Sequence, residues 1–175
     1  ALSLKNAIEH FNESNTQPFP TRIGLHYGDM SLSKRDATYR VTGDVVNTAN
    51  RIQGANKTLK THILLSEEVI DGLDDFLMRS LGKFLLPGRK KPVKLFELIT
   101  YRQSDNKEQL WLCETFAYAL DAYQSQRWVD AIQGFQEIIK IFPTDGPAQF
   151  FLSLCLRYKD DPPGDPWPIS RIDTK

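Results

Sequence analysis

The chain has 175 residues, and its 22 lysines and arginines balance 22 aspartates and glutamates, so its formal net charge is zero. That balance argues against a surface-wide attraction to nucleic acid, and no nucleic-acid partner is expected. Two cysteines in a chain of this length do not make a disulfide framework, so a reducing compartment is expected. No apolar run approaches the roughly 18 residues of a membrane span. The chain begins without methionine inside a helical pattern, so we expect it to be part of a longer protein, and any membrane attachment to come from upstream segments.

The first hundred residues alternate between helical and strand patterns. Apolar spacing predicts a short helix over residues 2–11, and the polar stretch 31–38 is predicted to be a loop. A second helix is predicted to begin at Asp44, where an acidic first turn suits the helix dipole. Strands are predicted over residues 22–28, 39–42, 62–66, 76–86 and 93–99, with a Pro87-Gly88 turn between the last two.

The pattern changes after Tyr101. Residues 102–107 contain no apolar side chain, and helical patterns follow until a proline-rich tail that excludes a helix or a central strand. We therefore predict a first domain over 1–101, a linker over 102–107 and a helical appendage over 108–175. Ala131, Phe135 and Pro143 match part of a tetratricopeptide repeat. Because one repeat leaves its hydrophobic face uncovered, we expect these helices to complete the core of the first domain, with a peptide-binding groove as the alternative.

The residues with the clearest chemical potential lie on the predicted second helix. Asn47 and Arg51 are four residues apart, so both side chains leave the same helix face, next to a glycine turn. An amide beside a guanidinium suits an anionic substrate, although a solvated helix face is the alternative. A local basic patch follows in residues 83–94, which contain no acidic residue: Lys83, Arg89, Lys90, Lys91 and Lys94.

The other reactive side chains are weaker candidates. The histidines lack metal-ligand spacing, the cysteines lie among apolar residues of helical segments, and the tryptophans are best explained as packing residues. No Ser/His/Asp or Cys/His arrangement stands out. These residues are His10, His26, His62, Cys113, Cys155, Trp111, Trp128 and Trp167.

Several motifs occur in the order of a known family. They are RIGLHYG (22–28), GDVVNTANR (43–51), IQGANK (52–57), GKFLLPG (82–88), Pro92-Val93 and FEL (96–98). In this order they resemble the second half of a class III adenylate/guanylate cyclase catalytic domain. The helical tail resembles the segment that follows this domain in some bacterial members.

This resemblance implies a fold and an activity. The fold would be α+β, a partial ferredoxin-like, palm-type sheet with helices on one face, followed by the small tetratricopeptide-like appendage. The activity would be conversion of ATP to 3′,5′-cyclic AMP and pyrophosphate, with GTP as a less favoured substrate. In this family two catalytic domains form the active site together, so a homodimer is implied. The location would be cytoplasmic, including the cytoplasmic part of a membrane-anchored bacterial protein.

The resemblance also assigns roles to individual residues. Asn47 matches the asparagine that orients the ribose, and Arg51 matches the arginine that stabilises charge on the α-phosphate. Arg40 lies where the family selects adenine or guanine, and an arginine there leaves the choice of base open. Arg89 falls near the lysine that binds the triphosphate.

The chain departs from the family in two ways. The two-metal site, for Mg²⁺ or Mn²⁺, uses a pair of aspartates upstream of the first helix, so its ligands are not in this chain and the chain alone is expected to be inactive. Asp29, Asp36 and Asp44 do not occupy those metal positions. The stretch 29–42 is shorter than usual and lacks a Gly-Asn-x-Gly turn, through a real deletion or through residues missing from the numbering.

Two other functions stay open. One is a non-catalytic cyclase-homology domain that regulates or dimerises. The other is a scaffold whose helices recruit a protein partner.

Overall fold

The computed structural model describes residues 1–35, 38–103, 106–164 and 167–172. Helices and strands alternate up to residue 101, and three helices and a short strand follow. The helices are α1 (Leu2–Glu13), α2 (Asp44–Leu59), α3 (Lys107–Gln124), α4 (Trp128–Ile141) and α5 (Gly146–Asp160). The strands are β1 (Ile23–Leu25), β2 (Ser31–Arg35), β3 (Thr38–Thr42), β4 (Ile63–Ser66), β5 (Phe76–Leu85), β6 (Val93–Tyr101) and β7 (Ile169–Arg171).

A five-stranded sheet in the order β1-β4-β6-β5-β7 forms the centre of the fold. The β5–β6 hairpin is its longest pairing, and the two outer pairs, β1 with β4 and β5 with β7, are parallel. The mixed α+β prediction is therefore confirmed, as are the strands predicted at β1, β3, β4, β5 and β6. Among the helices of the described ranges, none combines the length and apolarity needed to cross a membrane.

The prediction of a loop over residues 31–38 is wrong. Residues Ser31–Arg35 form β2, which pairs antiparallel with β3, so that Ser31 lies opposite Thr42. Backbone hydrogen bonds to a neighbouring strand create this element, and they do not require an apolar pattern in the sequence. The short stretch 29–42 thus still forms a strand pair.

Helices cover both faces of the sheet, which corrects the prediction that they lie on one face. In β4, Leu64 packs into the core formed with Ile52 of α2. Its neighbours Ile63 and Leu65 point to the opposite face, where they pack with Leu2 of α1. Alternating strand side chains explain this division, because a strand of four fully buried residues must be covered on both sides.

Helix α2 is fixed to β1 by close packing and by a buried amide. At Gly24 a Cβ atom would collide with the α2 backbone at Ala49 and Gln53, so only glycine permits this approach. The buried Asn56 donates to the Ile23 carbonyl at 3.0 Å and accepts from the Thr61 hydroxyl at 2.8 Å. These contacts set the position of α2 relative to the sheet.

Helices α3, α4 and α5 pack on the same face of the sheet as α2. Phe151 of α5 is buried between Phe84 of β5 and the rings of Phe116, Tyr123 and Phe135. These three helices therefore share one hydrophobic core with α2 and the sheet. The three tryptophans are packing residues here, as predicted.

A buried charge network also joins the sheet to α5. Arg79 of β5 donates to Glu97 of β6 at 2.7 Å and to Asp145, the N-cap of α5, at 2.6 Å. Burial raises the pKa of Glu97, and the charge of Arg79 opposes that effect.

The tail returns to the sheet as β7. This edge strand pairs with residues 83–85 of β5, and the Trp167 indole N–H donates to the Gln124 carbonyl at 2.9 Å. An edge position agrees with the prediction that the proline-rich tail excludes a central strand.

Candidate active site

The start of α2 meets the turn of the β5–β6 hairpin. The Arg89 N–H donates to the Leu86 carbonyl at 3.0 Å, and Gly88 has φ +66°, which is the pattern of a tight turn with proline at its second position. The predicted Pro87-Gly88 turn is thereby confirmed. It brings a basic segment of the hairpin to the first turns of α2.

Arg51 lies directly on this turn. Its guanidinium is so close to the Gly88 Cα that any Cβ atom at position 88 would collide with Nη1. Glycine is thus required at position 88 for two reasons. The backbone has a positive φ there, and the Arg51 guanidinium leaves no space for a side chain. Arg51 itself is half-buried, which orients its side chain more firmly than a fully exposed arginine.

Arg89, at the end of this turn, also contacts α2. Its Nη1 donates to the Asp44 carboxylate at 2.9 Å and also contacts the Thr48 hydroxyl. The Arg89 side chain is 17% exposed, whereas that of Asp44 is 78% exposed. Because such an exposed ion pair is worth about 1 kcal/mol or less, a phosphate can replace Asp44 as the partner of Arg89 at little cost.

The structure places the four predicted site residues as follows. Arg51 and Arg89 meet at the hairpin turn, and Asn47 is exposed one helical turn before Arg51 on α2. Arg40 lies in β3 opposite Ser33, and its side chain is outside the described residues.

This arrangement suits an anion. Two guanidinium groups and the Thr48 hydroxyl lie beside the first turns of α2, where the helix dipole is positive. The one ion-pair partner that the described residues give Arg89 is the exposed Asp44. A phosphorylated ligand would replace that weak partner and neutralise both arginines.

A second polar cluster was not predicted. Nδ1 of His26, directly after β1, lies 2.7 Å from the Ser66 Oγ and 3.5 Å from a carboxylate oxygen of Glu68. Both contacts use the same ring nitrogen and Ser66 is buried, so this is no nucleophilic triad. His26 is thus a packed, hydrogen-bonded residue, with a side chain that is 12% exposed. His26 and Ser66 are 40 residues apart, so no local signal in the sequence identifies the pair.

Glu68 connects this cluster electrostatically to the arginine turn. Burial alone would raise the pKa of Glu68, but the Ser66 hydrogen bond and the charges of His26 and Arg89 lower it below its ordinary value. Glu68 therefore stays ionised and contributes negative charge near Arg89.

The basic patch is only partly neutralised. Lys94 pairs with Glu67 at 2.6 Å and Arg89 with Asp44. The exposed Lys83, Lys90 and Lys91 form no ion pair with any residue in the described ranges.

The cysteines are packing residues. Burial raises the pKa of Cys113 to about 11 and that of Cys155 to about 12, so both remain thiols at neutral pH.

The described residues do not supply a metal site. Within the described ranges, no three His, Cys, Asp or Glu side chains are grouped so that they could hold a metal ion. Asp44 is engaged with Arg89, and Asp36 lies outside the described residues. No catalytic step is therefore assigned to a metal bound by this chain.

Comparison with known proteins agrees with the motif order. Residues 1–100 match the family described as Adenylate and Guanylate cyclase catalytic domain. Adenylate cyclase 1 of Rhizobium meliloti (strain 1021) is 32% identical over 108 residues, which are 57% of this chain and 16% of that protein. Photoactivated adenylate cyclase subunit alpha of Euglena gracilis is 37% identical over 83 residues, which are 44% of this chain and 8% of that protein. The chain thus spans less than a fifth of the length of these relatives.

Among solved structures, the adenylyl cyclase CyaB from P. aeruginosa aligns with a TM-score of 0.43 and 21% identity, over 58% of this chain and 54% of that chain.

Proposed function

The chain belongs to the adenylate and guanylate cyclase catalytic domain family, and on that premise we propose that it forms part of an enzyme that converts ATP to 3′,5′-cyclic AMP and pyrophosphate. The observation that carries this proposal is the meeting of Arg51 and Arg89 at the Gly88 turn, beside the exposed Asn47.

In the proposed reaction the ribose 3′-hydroxyl attacks the α-phosphorus in line. The bond from that phosphorus to the bridging oxygen breaks, pyrophosphate leaves, and the hydroxyl proton is lost to a base that the described residues do not identify. Arg51 stabilises the charge that develops on the α-phosphate, and Asn47 orients the ribose. Arg89 exchanges Asp44 for the β- and γ-phosphates. Mg²⁺ or Mn²⁺ would supply further charge neutralisation from ligands upstream of α1, so the chain alone is expected to be inactive.

ATP is the proposed substrate over GTP. The relatives from Rhizobium meliloti and Euglena gracilis are both adenylate cyclases, which supports adenine. Arg40 is the proposed selector of the base, and its replacement is expected to change the ratio of ATP to GTP turnover.

A homodimer is proposed to complete the site. Three apolar side chains lie exposed around the start of α2: Tyr27 at 72%, Met30 at 62% and Val46 at 41%. The backbone of Met30 lies 3.6 Å from the position of a Cβ on Gly43, so this group adjoins the arginine turn. Exposed apolar side chains next to a charged site favour a protein partner, here a second copy of the chain. The replacement of Tyr27 and Met30 by serine should yield monomers in light scattering.

The helices beyond residue 107 are proposed to form a tetratricopeptide-like appendage to a domain that ends at residue 101. Gly134 packs against Ala119 where α3 and α4 cross, which is the small-residue contact of such a hairpin. The repeat-type positions Ala131 and Phe135 are fully buried, which supports the proposal that the appendage completes the core.

The test is cyclic nucleotide formation by a longer chain that carries the upstream half of the catalytic domain, with ATP and GTP in competition and Mn²⁺ present. Arg51→Ala should lower kcat at least 100-fold, and Asn47→Ala should lower it about 10-fold or more. Lys57→Ala and Asn50→Ala are matched controls, because both residues are exposed on α2, and they should stay within about twofold. A folded dimer that binds ATP without turnover would favour the regulatory domain.

A further inference from the structure

We propose that the chain has a second ligand site, which binds a planar organic anion, an aromatic ring that carries a phosphate or carboxylate. The site is a cavity of about 240 Å³ between the β5–β6 hairpin and the C-terminal tail. It shares no lining residue with the proposed ATP site and does not rest on cyclase activity.

Two cations line this cavity, and no acidic residue is among the lining residues that the structure describes. Lys90 of the hairpin and Arg171 of β7 are the charged residues of the lining. Neither forms an ion pair with any residue that the structure describes, in contrast to Arg89 and Lys94 of the same hairpin. Two positive charges that converge from segments about 80 residues apart attract an anion.

Two aromatic rings also line this cavity. The rings of Tyr158 and Trp167 line the cavity and pack edge to face, with centroids 5.7 Å apart. Trp167 is fixed by its hydrogen bond to the Gln124 carbonyl and by its contact with Tyr123, whose centroid lies 4.8 Å away. A ligand therefore meets a rigid aromatic surface, and little side-chain entropy is lost on binding.

The size of the cavity selects the class of ligand. Its volume of about 240 Å³ lies below the roughly 300–1,000 Å³ of clefts that enclose drug-sized molecules. A ring with one anionic group fits, whereas a nucleoside triphosphate is too large. Leu85 and Ile169, from paired strands, provide an apolar floor that favours a ring over a bare inorganic ion.

Calorimetric titration of the 175-residue chain tests the proposal with four probes. Phenyl phosphate and 4-hydroxybenzoate carry both features, whereas phenol and inorganic phosphate carry one each. We expect at least one of the first two to bind at least tenfold more tightly than either of the last two. Arg171→Ala should weaken that binding about tenfold, since a charge-assisted hydrogen bond is lost.

Matched variants distinguish this site from the proposed ATP site. Lys91→Ala removes a neighbouring exposed charge that does not line the cavity and should leave binding unchanged. Arg51→Ala should also leave this binding unchanged, because Arg51 belongs only to the proposed ATP site. The cyclase proposal and the proposal of a second site can therefore fail independently. Binding that is lost in Arg51→Ala but kept in Arg171→Ala overturns the proposal. Equal binding of phosphate alone, or no binding of either ring anion, also overturns it.

Discussion

The replacement of Gly88 by alanine tests the arginine turn most selectively. Gly88 has φ +66°, and the Arg51 guanidinium occupies the space of a side chain there. Gly72 provides a matched control, because it has φ +72° and, apart from its chain neighbours, no atom within 4 Å of the point where a Cβ would lie. Gly72→Ala and Gly88→Ala therefore impose the same backbone conformation on alanine, but only the second displaces Arg51.

The expected magnitudes follow from these two contacts. The left-handed conformation should cost each variant about 1–2 kcal/mol of unfolding free energy. Arg51 can rotate away from the new methyl group, so Gly88→Ala should be no more than about 1 kcal/mol less stable than Gly72→Ala. A displaced Arg51 loses a charge-assisted contact to the α-phosphate, worth about 1.5–3 kcal/mol, so kcat/KM should fall about 10- to 100-fold.

Urea unfolding of the chain and cyclase kinetics of the longer protein measure the two effects separately. Gly72→Ala should lose stability while its kcat/KM stays within about twofold of the parent. Equal kcat/KM for both variants would refute the reasoning, because the contact between Gly88 and Arg51 would then have no part in the reaction.

Two further predictions concern stability. Asp145→Asn keeps the α5 N-cap but removes the charge paired with Arg79, and should cost about 2 kcal/mol in urea unfolding; Asp145→Ala should cost about 1 kcal/mol more. The exposed Asp121→Asn, which weakens the pair with Arg127, should leave the urea midpoint close to that of the parent, and equal costs for Asp121→Asn and Asp145→Asn would contradict this account. Burial raises the pKa of Cys113 to about 11, of Cys155 to about 12 and of Tyr123 further above its ordinary value. The unfolded chain then binds fewer protons than the folded chain above about pH 9, so stability should fall as the pH rises from 9 towards 12, and a constant urea midpoint there would disprove it.

Local patterns in the sequence predicted much of the fold. The helical spacing of Asn47 and Arg51 depends only on residues within one turn, and the β5–β6 hairpin has a Pro-Gly turn between two apolar strands. Both are short-range features, so a single sequence suffices to identify them.

β2 was missed for a local reason: it pairs with the adjacent β3, but its polar and charged sequence lacks the apolar alternation that predicts a strand. The other missed features depend on partners far along the chain. β7 is a strand because residues 83–85 lie beside it. The contact between Arg51 and Gly88 likewise joins a helix to a hairpin turn, and no spacing rule connects the two positions. Long-range pairing is decided by the assembled core, so local periodicity does not reveal it.

The buried network around Arg79 was missed for the same reason. Arg79 and Asp145 are 66 residues apart and lie in different predicted domains. In the sequence both look like ordinary surface charges, since charged residues are rarely buried unless they are paired.

The most direct test of the central claim compares Arg51→Ala with Arg51→Lys in the longer cyclase chain. Cyclic AMP formation from ATP should be lost in Arg51→Ala and should persist in Lys57→Ala. Arg51→Lys should recover part of the activity, because lysine restores the positive charge but not the planar guanidinium group. Undiminished cyclic AMP formation by a folded Arg51→Ala protein would contradict the claim that the turn of Arg51 and Gly88 is the phosphate site of a nucleotide cyclase.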